Sequence, residues 1–333
     1  MKCCGHARLN GSRYARLNGS RYARLKGSRY ARLKGSRYMT ITEQELTSLA
    51  ASHDIISLGA IADGLRRQRH GTNATFVRVA EIAADPSAPI AIAPAAGEAR
   101  IVGAPPTRAA AADRVAQVAA SANGVAVSGF SLADLEELAA REGVTLRALL
   151  EQLRAAGLEI VSEAPIDRLR DARRSIEEVN IAGLALARVT IHQPQSTDPM
   201  SQLKTVAELQ RAVAVIRAFA PLPRRVNPAV PTTGYEDIRR VALARIVADN
   251  VPSIQVDWSL YGPKLAQVAL TVGADDVDGV SADDDVSQGY RRSPLEEIRR
   301  NIHAAGYEPV QRTGRWDVLR AVDELTTQDE RSR

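Results

Sequence analysis

Two short stretches carry the side chains best suited to chemistry. In SIQVDWSL (253–260) a period of two places Gln255, Asp257 and Ser259 on one face and Ile254, Val256, Trp258 and Leu260 on the other. With the apolar face against covering helices, Gln255 and Asp257 line an interior where a carboxylate needs a partner or water, which makes them candidate ligand-binding groups. An Asp touching water or an arginine at a strand mouth is the plainer alternative. His192 ends LARVTIHQ (186–193) and offers an acid/base or ligand group, or a hydrogen-bonded rim residue. Asp275, Asp276 and Asp278 in GADDVDGV (273–280) are candidates to bind a ribose hydroxyl or an arginine, with a turn or helix-cap role as the alternative. ADDD (282–285) lacks the glycine and glutamate of a calcium loop and reads as a solvated acidic loop; Arg224 and Arg225 read as a surface pair or a phosphate contact.

What must position these residues is an alternation of extended and helical text, the signature of a parallel sheet covered by helices. Helices are expected over 42–49 and 55–69. Beta-rich runs follow at 74–80, 89–95, 98–104, 124–131, 158–164, 186–193, 215–222, 253–260 and 275–280. Ser131, Thr145 and Thr205 stand as N-caps of three intervening helices, with Gly157 as a stop; two more helices are expected over 235–250 and from Pro263 to Val272. About eight strands with helices between them predict a closed (β/α)8 barrel, an open doubly wound sheet being the competing fold.

The first 38 residues are of another kind. Residues 7–38 are four octamers, ARLNGSRY twice and ARLKGSRY twice, without a hydrophobic period to build a core. They predict a disordered basic tail over 1–38, a single barrel domain over 39–325 and a disordered tail over 326–333. The octamers and Lys2 hold eleven of the chain's 44 basic residues and no acid, so the remainder carries 33 basic against 39 acidic residues. The basic pI therefore describes the tail. Its arginines and tyrosines could bind nucleic acid, but a translated repeat or a start upstream of the true one is the preferred reading. Cys3 and Cys4 are the only cysteines; two adjacent thiols make neither a disulfide framework nor a metal site. No apolar run suits a membrane span or signal peptide, and a cytoplasmic location is expected.

The run 232–280, TTGYEDIRRVALARIVADNVPSIQVDWSLYGPKLAQVALTVGADDVDGV, with AAGYEPVQR (304–312), resembles the radical S-adenosylmethionine enzymes of menaquinone biosynthesis: the aminofutalosine synthase, dehypoxanthine futalosine cyclase and deazaflavin synthase group. ISLGAIADGLRRQRHGTNATFV (56–77) is similar to the segment leading into that family's first strand. The resemblance implies a barrel of radical S-adenosylmethionine type, and in that family a CxxxCxxC loop after the first strand holds a [4Fe-4S] cluster. Here the corresponding text, VRVAEIAADPSAPIAIAPAAGE (77–98), has no cysteine, and the helix between the first two strands is missing. The glycine-rich fourth-strand segment is replaced by EIVSEAPIDRL (159–169), and the asparagine-rich fifth by VTIHQPQS (189–196). The expectation is a degenerate homologue with an abbreviated first β/α unit, no cluster and no cofactor, and no assigned catalytic residue. It would be a non-catalytic paralogue that binds or regulates an active menaquinone-pathway enzyme. A cluster-free nucleoside or small-molecule binder using His192, Gln255, Asp257, Asp276 and Asp278 is the alternative, and a nucleic-acid accessory protein is the third reading.

Overall fold

The computed structural model describes residues 43–193, 199–225, 233–284 and 293–319. The basic repeats and the tail over 326–333 lie outside them. The chain divides into two units, Met1–Leu49 and Ala50–Arg333. In the first, the described residues begin helix α1 (Glu43–Ala51). The second holds all the rest, beginning with α2 (Ile55–His70), whose first turn is capped by the Asp54 carboxylate accepting from the Ile56 and Ser57 amides.

Eight parallel strands close into a barrel: β1 (Asn73–Ala83), β2 (Glu98–Val102), β3 (Ala126–Ser131), β4 (Ile160–Pro165), β6 (Val189–Ile191), β7 (Ala218–Pro223), β8 (Ser253–Asp257) and β9 (Asp276–Ser281), with β9 returning to pair with β1. Two further strands extend the sheet. β5 (Ala185–Leu186) pairs with β4, and β10 (Glu308–Arg312) pairs in parallel with the first half of β1. The barrel expected from the sequence is thus the fold found, and β10 is the strand the sequence reading lacked.

Helices α3 (Arg108–Ser121), α4 (Leu132–Arg141), α5 (Leu146–Ala155), α6 (Ala172–Ile181), α7 (Pro199–Val213), α8 (Gly234–Val247), α9 (Trp258–Leu270) and α10 (Pro294–Ala304) occupy the connections. Their buried faces are built from residues such as Val115, Leu149, Leu153, Ile176 and Ile298. These meet outward strand residues such as Ile101 and Val277, while charged residues alternate inward, so the strands are not the uniformly apolar runs usual in parallel sheets. Gly157, at φ +111°, makes the turn from α5 to β4; a Cβ there would stand 2.7 Å from that of Ala119.

Three sequence expectations are corrected. The run 89–95 is not a strand: Pro89 and Pro94 cannot donate to a ladder, and the whole link from Ala84 to Gly97 carries neither helix nor strand. It is nevertheless held in place. Arg114 of α3, 1% exposed, donates to the carbonyls of Ala83 (2.9 Å) and Ala88 (3.0 Å), and Ile92 and Ala93 pack on Ala80, Ala96 and Ala282. The strand from Ser253 stops at Asp257, because that carboxylate accepts the Leu260 amide at 2.9 Å and starts α9, so Trp258 and Ser259 belong to a helical turn. α9 is two helical pieces joined across a break at Gly262 (φ +76°), and the second piece opens at Pro263, as the sequence led one to expect. Thr205 is not an N-cap: α7 begins at Pro199, and the Thr205 hydroxyl donates back to the Ser201 carbonyl at 3.0 Å.

Candidate functional site

The inner face of the barrel holds charged side chains in two tiers. In the lower one, Asp276 opens β9 with no solvent exposure. It accepts two bonds from Arg312 (2.7 and 2.6 Å), one from Gln255 (2.6 Å) and one from the Thr75 hydroxyl (2.5 Å). The Trp316 ring covers the Arg312 guanidinium at 3.8 Å. Two residues further along β9, Asp278 takes a bidentate pair from Arg100 at 2.8 Å and another bond from Arg188. Arg100 lies on β2 and Arg188 just before β6, neither of them a sheet neighbour of β9, so these contacts cross the interior. Arg100 also donates to Glu98 (2.8 Å), which accepts from Ser128 (2.5 Å). Burial alone would raise the Asp278 pKa, but Arg100 and Arg188 outweigh it and hold the group well below the usual carboxylate range.

The upper tier lies at the C-terminal ends of β4, β6, β7 and β8, the end at which such barrels place their chemistry. Glu163 of β4 has Oε1 at 3.2 Å from His192 Nε2, and its Oε2 stands 3.1 Å from Arg224 Nε without the direction of a hydrogen bond. Arg224, just past β7, also donates to Asp257 at 2.5 Å. Asp257 in turn accepts from Ser259 at 2.8 Å while capping α9. The backbone around His192 is clasped by Asp167, whose two oxygens accept the His192 and Gln193 amides at 2.9 and 2.7 Å. For Glu163, burial raises the pKa, but the bond from His192 and the charges of Arg224 and Arg188 bring it down to about 2. Asp257 is likewise lowered, burial being outweighed by the Arg224 charge.

Beside these pairs stand buried atoms without a hydrogen-bond partner: His192 Nδ1, Thr190 Oγ1, Arg188 Nε, Ser131 Oγ and, in the lower tier, Gln255 Oε1. Arg188, Thr190 and His192 alternate along one segment, so the period of two puts them on one face. They are 2%, 0% and 8% exposed. Unsatisfied polar atoms so deeply buried are uncommon and call for an explanation.

The structure thus brings His192 and Asp257 together at the mouth. Gln255 and Asp276 lie below them, Asp278 stands opposite Asp257 in the β8–β9 register but is tied to Arg100 and Arg188, and Asp275 lies apart, accepting from Arg245, Ser253 and the Ile254 amide. Arg224 is not a surface charge, and Asp285 of the acidic run falls outside the described residues. Sequence reasoning missed Glu163, Arg188, Thr190, Arg100 and Arg312. Period-two reading of LARVTIHQ and EIVSEAP would have found the first three.

A [4Fe-4S] cluster needs thiolate ligands where the β1–β2 link stands. The polar side chains of Ala84–Gly97 are Asp85 and Ser87, which bond to each other at 2.8 Å, and the link has no sulfur. This donor set does not fit the cluster. Among the described residues, no helix is long and apolar enough to cross a membrane.

A closed parallel barrel with its polar groups at the C-terminal mouth is a fold that many enzyme families share, and the comparisons with known proteins narrow the choice. Residues 221–325 match the CofH/MqnC C-terminal region. Methylornithine synthase superposes with a TM-score of 0.60 at 12% identity, over 81% of this chain and 94% of that one. Aminodeoxyfutalosine synthase of Streptomyces coelicolor is 36% identical over 94 residues, 26% of this chain and 24% of the enzyme. The Thermus thermophilus enzyme of the same name is 25% identical over 236 residues, 61% of this chain and 63% of the enzyme. The chain is related to the radical S-adenosylmethionine enzymes of menaquinone biosynthesis, and each of these two matches spans less than two thirds of the relative's length.

Proposed function

We propose that this chain is a cluster-free relative of those enzymes, one that has kept the barrel and uses its mouth to bind a small hydroxylated molecule of nucleoside type without radical chemistry. The observation that carries the reading is the mouth itself, where Glu163, His192, Arg224 and Asp257 converge above buried hydroxyl and nitrogen atoms with no partner. Such atoms are expensive to leave empty and are satisfied when a polar ligand enters. Two ionised carboxylates against one guanidinium leave the quartet without excess positive charge, which favours a neutral or amine-bearing ligand over a phosphorylated one. The β1–β2 link supports the cluster-free part, since it supplies no thiolate.

The test is thermal shift and calorimetry on the full chain with adenosine, aminodeoxyfutalosine, S-adenosylmethionine and adenosine monophosphate. A ligand at 100 times its Kd adds about 2.7 kcal/mol of stability. Stabilisation by an unphosphorylated nucleoside and not by the monophosphate is expected, with loss of binding in Asp257→Asn. A cluster spectrum after iron and sulfide reconstitution, with cleavage of S-adenosylmethionine, would overturn the proposal.

A further inference from the structure

We infer that Glu163 and His192 form an acid–base dyad in which His192 Nδ1 takes a proton from a carbon beside a carbonyl of the bound molecule. This rests on the mouth being a ligand site and adds an activity to it. The geometry fixes the direction of the imidazole. Glu163 Oε1 lies 3.2 Å from Nε2, and an ionised carboxylate only accepts, so in the neutral ring the proton sits on Nε2 and the Nδ1 lone pair is left bare. The cations that keep Glu163 ionised are Arg224 and Arg188. Asp167 grips the backbone at His192 and Gln193, fixing where the ring emerges from β6. Among the described residues no group bonds to Nδ1, and the residue is 8% exposed.

The same face of the strand supplies the complementary group. Thr190 and Arg188 lie two and four residues before His192, about 7 Å apart for each pair of residues. Both carry an unpartnered buried atom, a hydroxyl and a guanidinium N–H. A bare base with unpartnered donors on the same face of its strand suits removal of a proton next to a carbonyl. In that step the C–H bond breaks and its electrons form a carbon–carbon double bond. The carbonyl π pair moves onto oxygen, facing the Arg188 and Thr190 donors, and the proton goes to Nδ1. Once the Nδ1 proton has been replaced from solvent, protonation of the same carbon gives exchange; protonation of the former carbonyl carbon, with the hydroxyl proton passing from one enediol oxygen to the other, gives isomerisation, so no oxidant or reductant is consumed. The other charges around the ring are Arg224 beyond β7 and, through it, Asp257 of β8. His192 is the catalytic residue and Glu163 a positioning residue.

Two measurements decide it. Nitrogen-15 spectra of histidine-labelled full chain near pH 7.5, assigned with His192→Gln, should show Nε2 protonated and Nδ1 bare; the opposite tautomer or an imidazolium overturns the dyad whatever the ligand. Dihydroxyacetone and ribulose in D2O then serve as probes, with binding followed by saturation transfer and exchange by proton spectra. Deuterium should enter beside the carbonyl in the presence of the protein, and His192→Gln should slow this by about 10²-fold or more. Glu163→Gln should slow it less, shift its pH profile and be rescued in part by Glu163→Asp. Probes that bind without exchange, or that exchange equally with His192→Gln, overturn the dyad and leave the binding proposal standing. Probes that neither bind nor exchange count against both.

Discussion

The lower tier and the mouth of the barrel are made from the same kinds of side chain and differ in how fully those are used. Asp276 and Asp278 are at most 1% exposed, and between them they accept from Thr75, Gln255, Arg312, Arg100 and Arg188. At the mouth, Glu163 and Asp257 share one arginine, and His192 and Thr190 keep atoms that bond to nothing. A buried charge network with its carboxylates filled has a structural job: it fixes register across strands that are not neighbours. One with spare valence has been left ready for something else. The difference separates Asp276 and Asp278, which the sequence offered as ligand contacts, from His192 and Asp257, which remain at the mouth.

The largest effect should come from the lower tier. Asp278→Ala removes the common partner of Arg100 and Arg188 and leaves two guanidiniums buried, so a loss of about 3–5 kcal/mol is expected in urea unfolding. His192→Gln at the mouth should cost under about 1 kcal/mol, since one edge of the ring is already unbonded. Equal losses would erase the distinction between the tiers.

The next effect depends on pH. The folded pKa of Glu163, about 2, lies below its ordinary 4.5. Its contribution is therefore fully present above pH 4.5 and is lost as pH falls toward 2, amounting to about 3 kcal/mol. Because Asp278 and Asp257 are depressed too, the informative quantity is the wild type minus Glu163→Gln difference, which should shrink as acid is added through that window. A difference that stays constant from pH 6 to pH 2.5 would mean that Arg224 and His192 do not hold Glu163 ionised.

The barrel itself was legible because its strands alternate with capped helices, and the abbreviated β1–β2 unit because a missing helix and missing cysteines are visible in text. Strand ends were less so. Asp257 reads equally as the fifth residue of a strand and as an N-cap, and only the Leu260 amide settles which. The pairing of Asp278 with Arg100 and Arg188 was illegible for a different reason. These residues are 178 and 90 positions apart, and closure of the sheet brings them together with no local pattern to announce it. Glu163 was passed over although it lies two positions from Val161 on β4, because nothing nearby in sequence marks its partner His192. Pro89 and Pro94 were legible signs against a strand, overridden by the apolar run around them.

The smallest effect is also the sharpest test of spare valence. Thr145 caps α5 by accepting the Ala148 amide at 3.2 Å, and Thr107 caps α3 through Ala110 at 3.1 Å. Replacing either by alanine should cost about 1 kcal/mol. Ser131 stands at the same position before α4, yet its side chain makes no capping bond and its buried Oγ has no partner. Ser131→Ala should therefore change stability by no more than about 0.5 kcal/mol, because it deletes a hydroxyl without deleting a bond. A loss matching that of Thr145→Ala would mean the hydroxyl is engaged, and the count of unused groups near the mouth would have to be lowered. A neutral result, together with weaker nucleoside binding, would place Ser131 among the groups that the ligand completes.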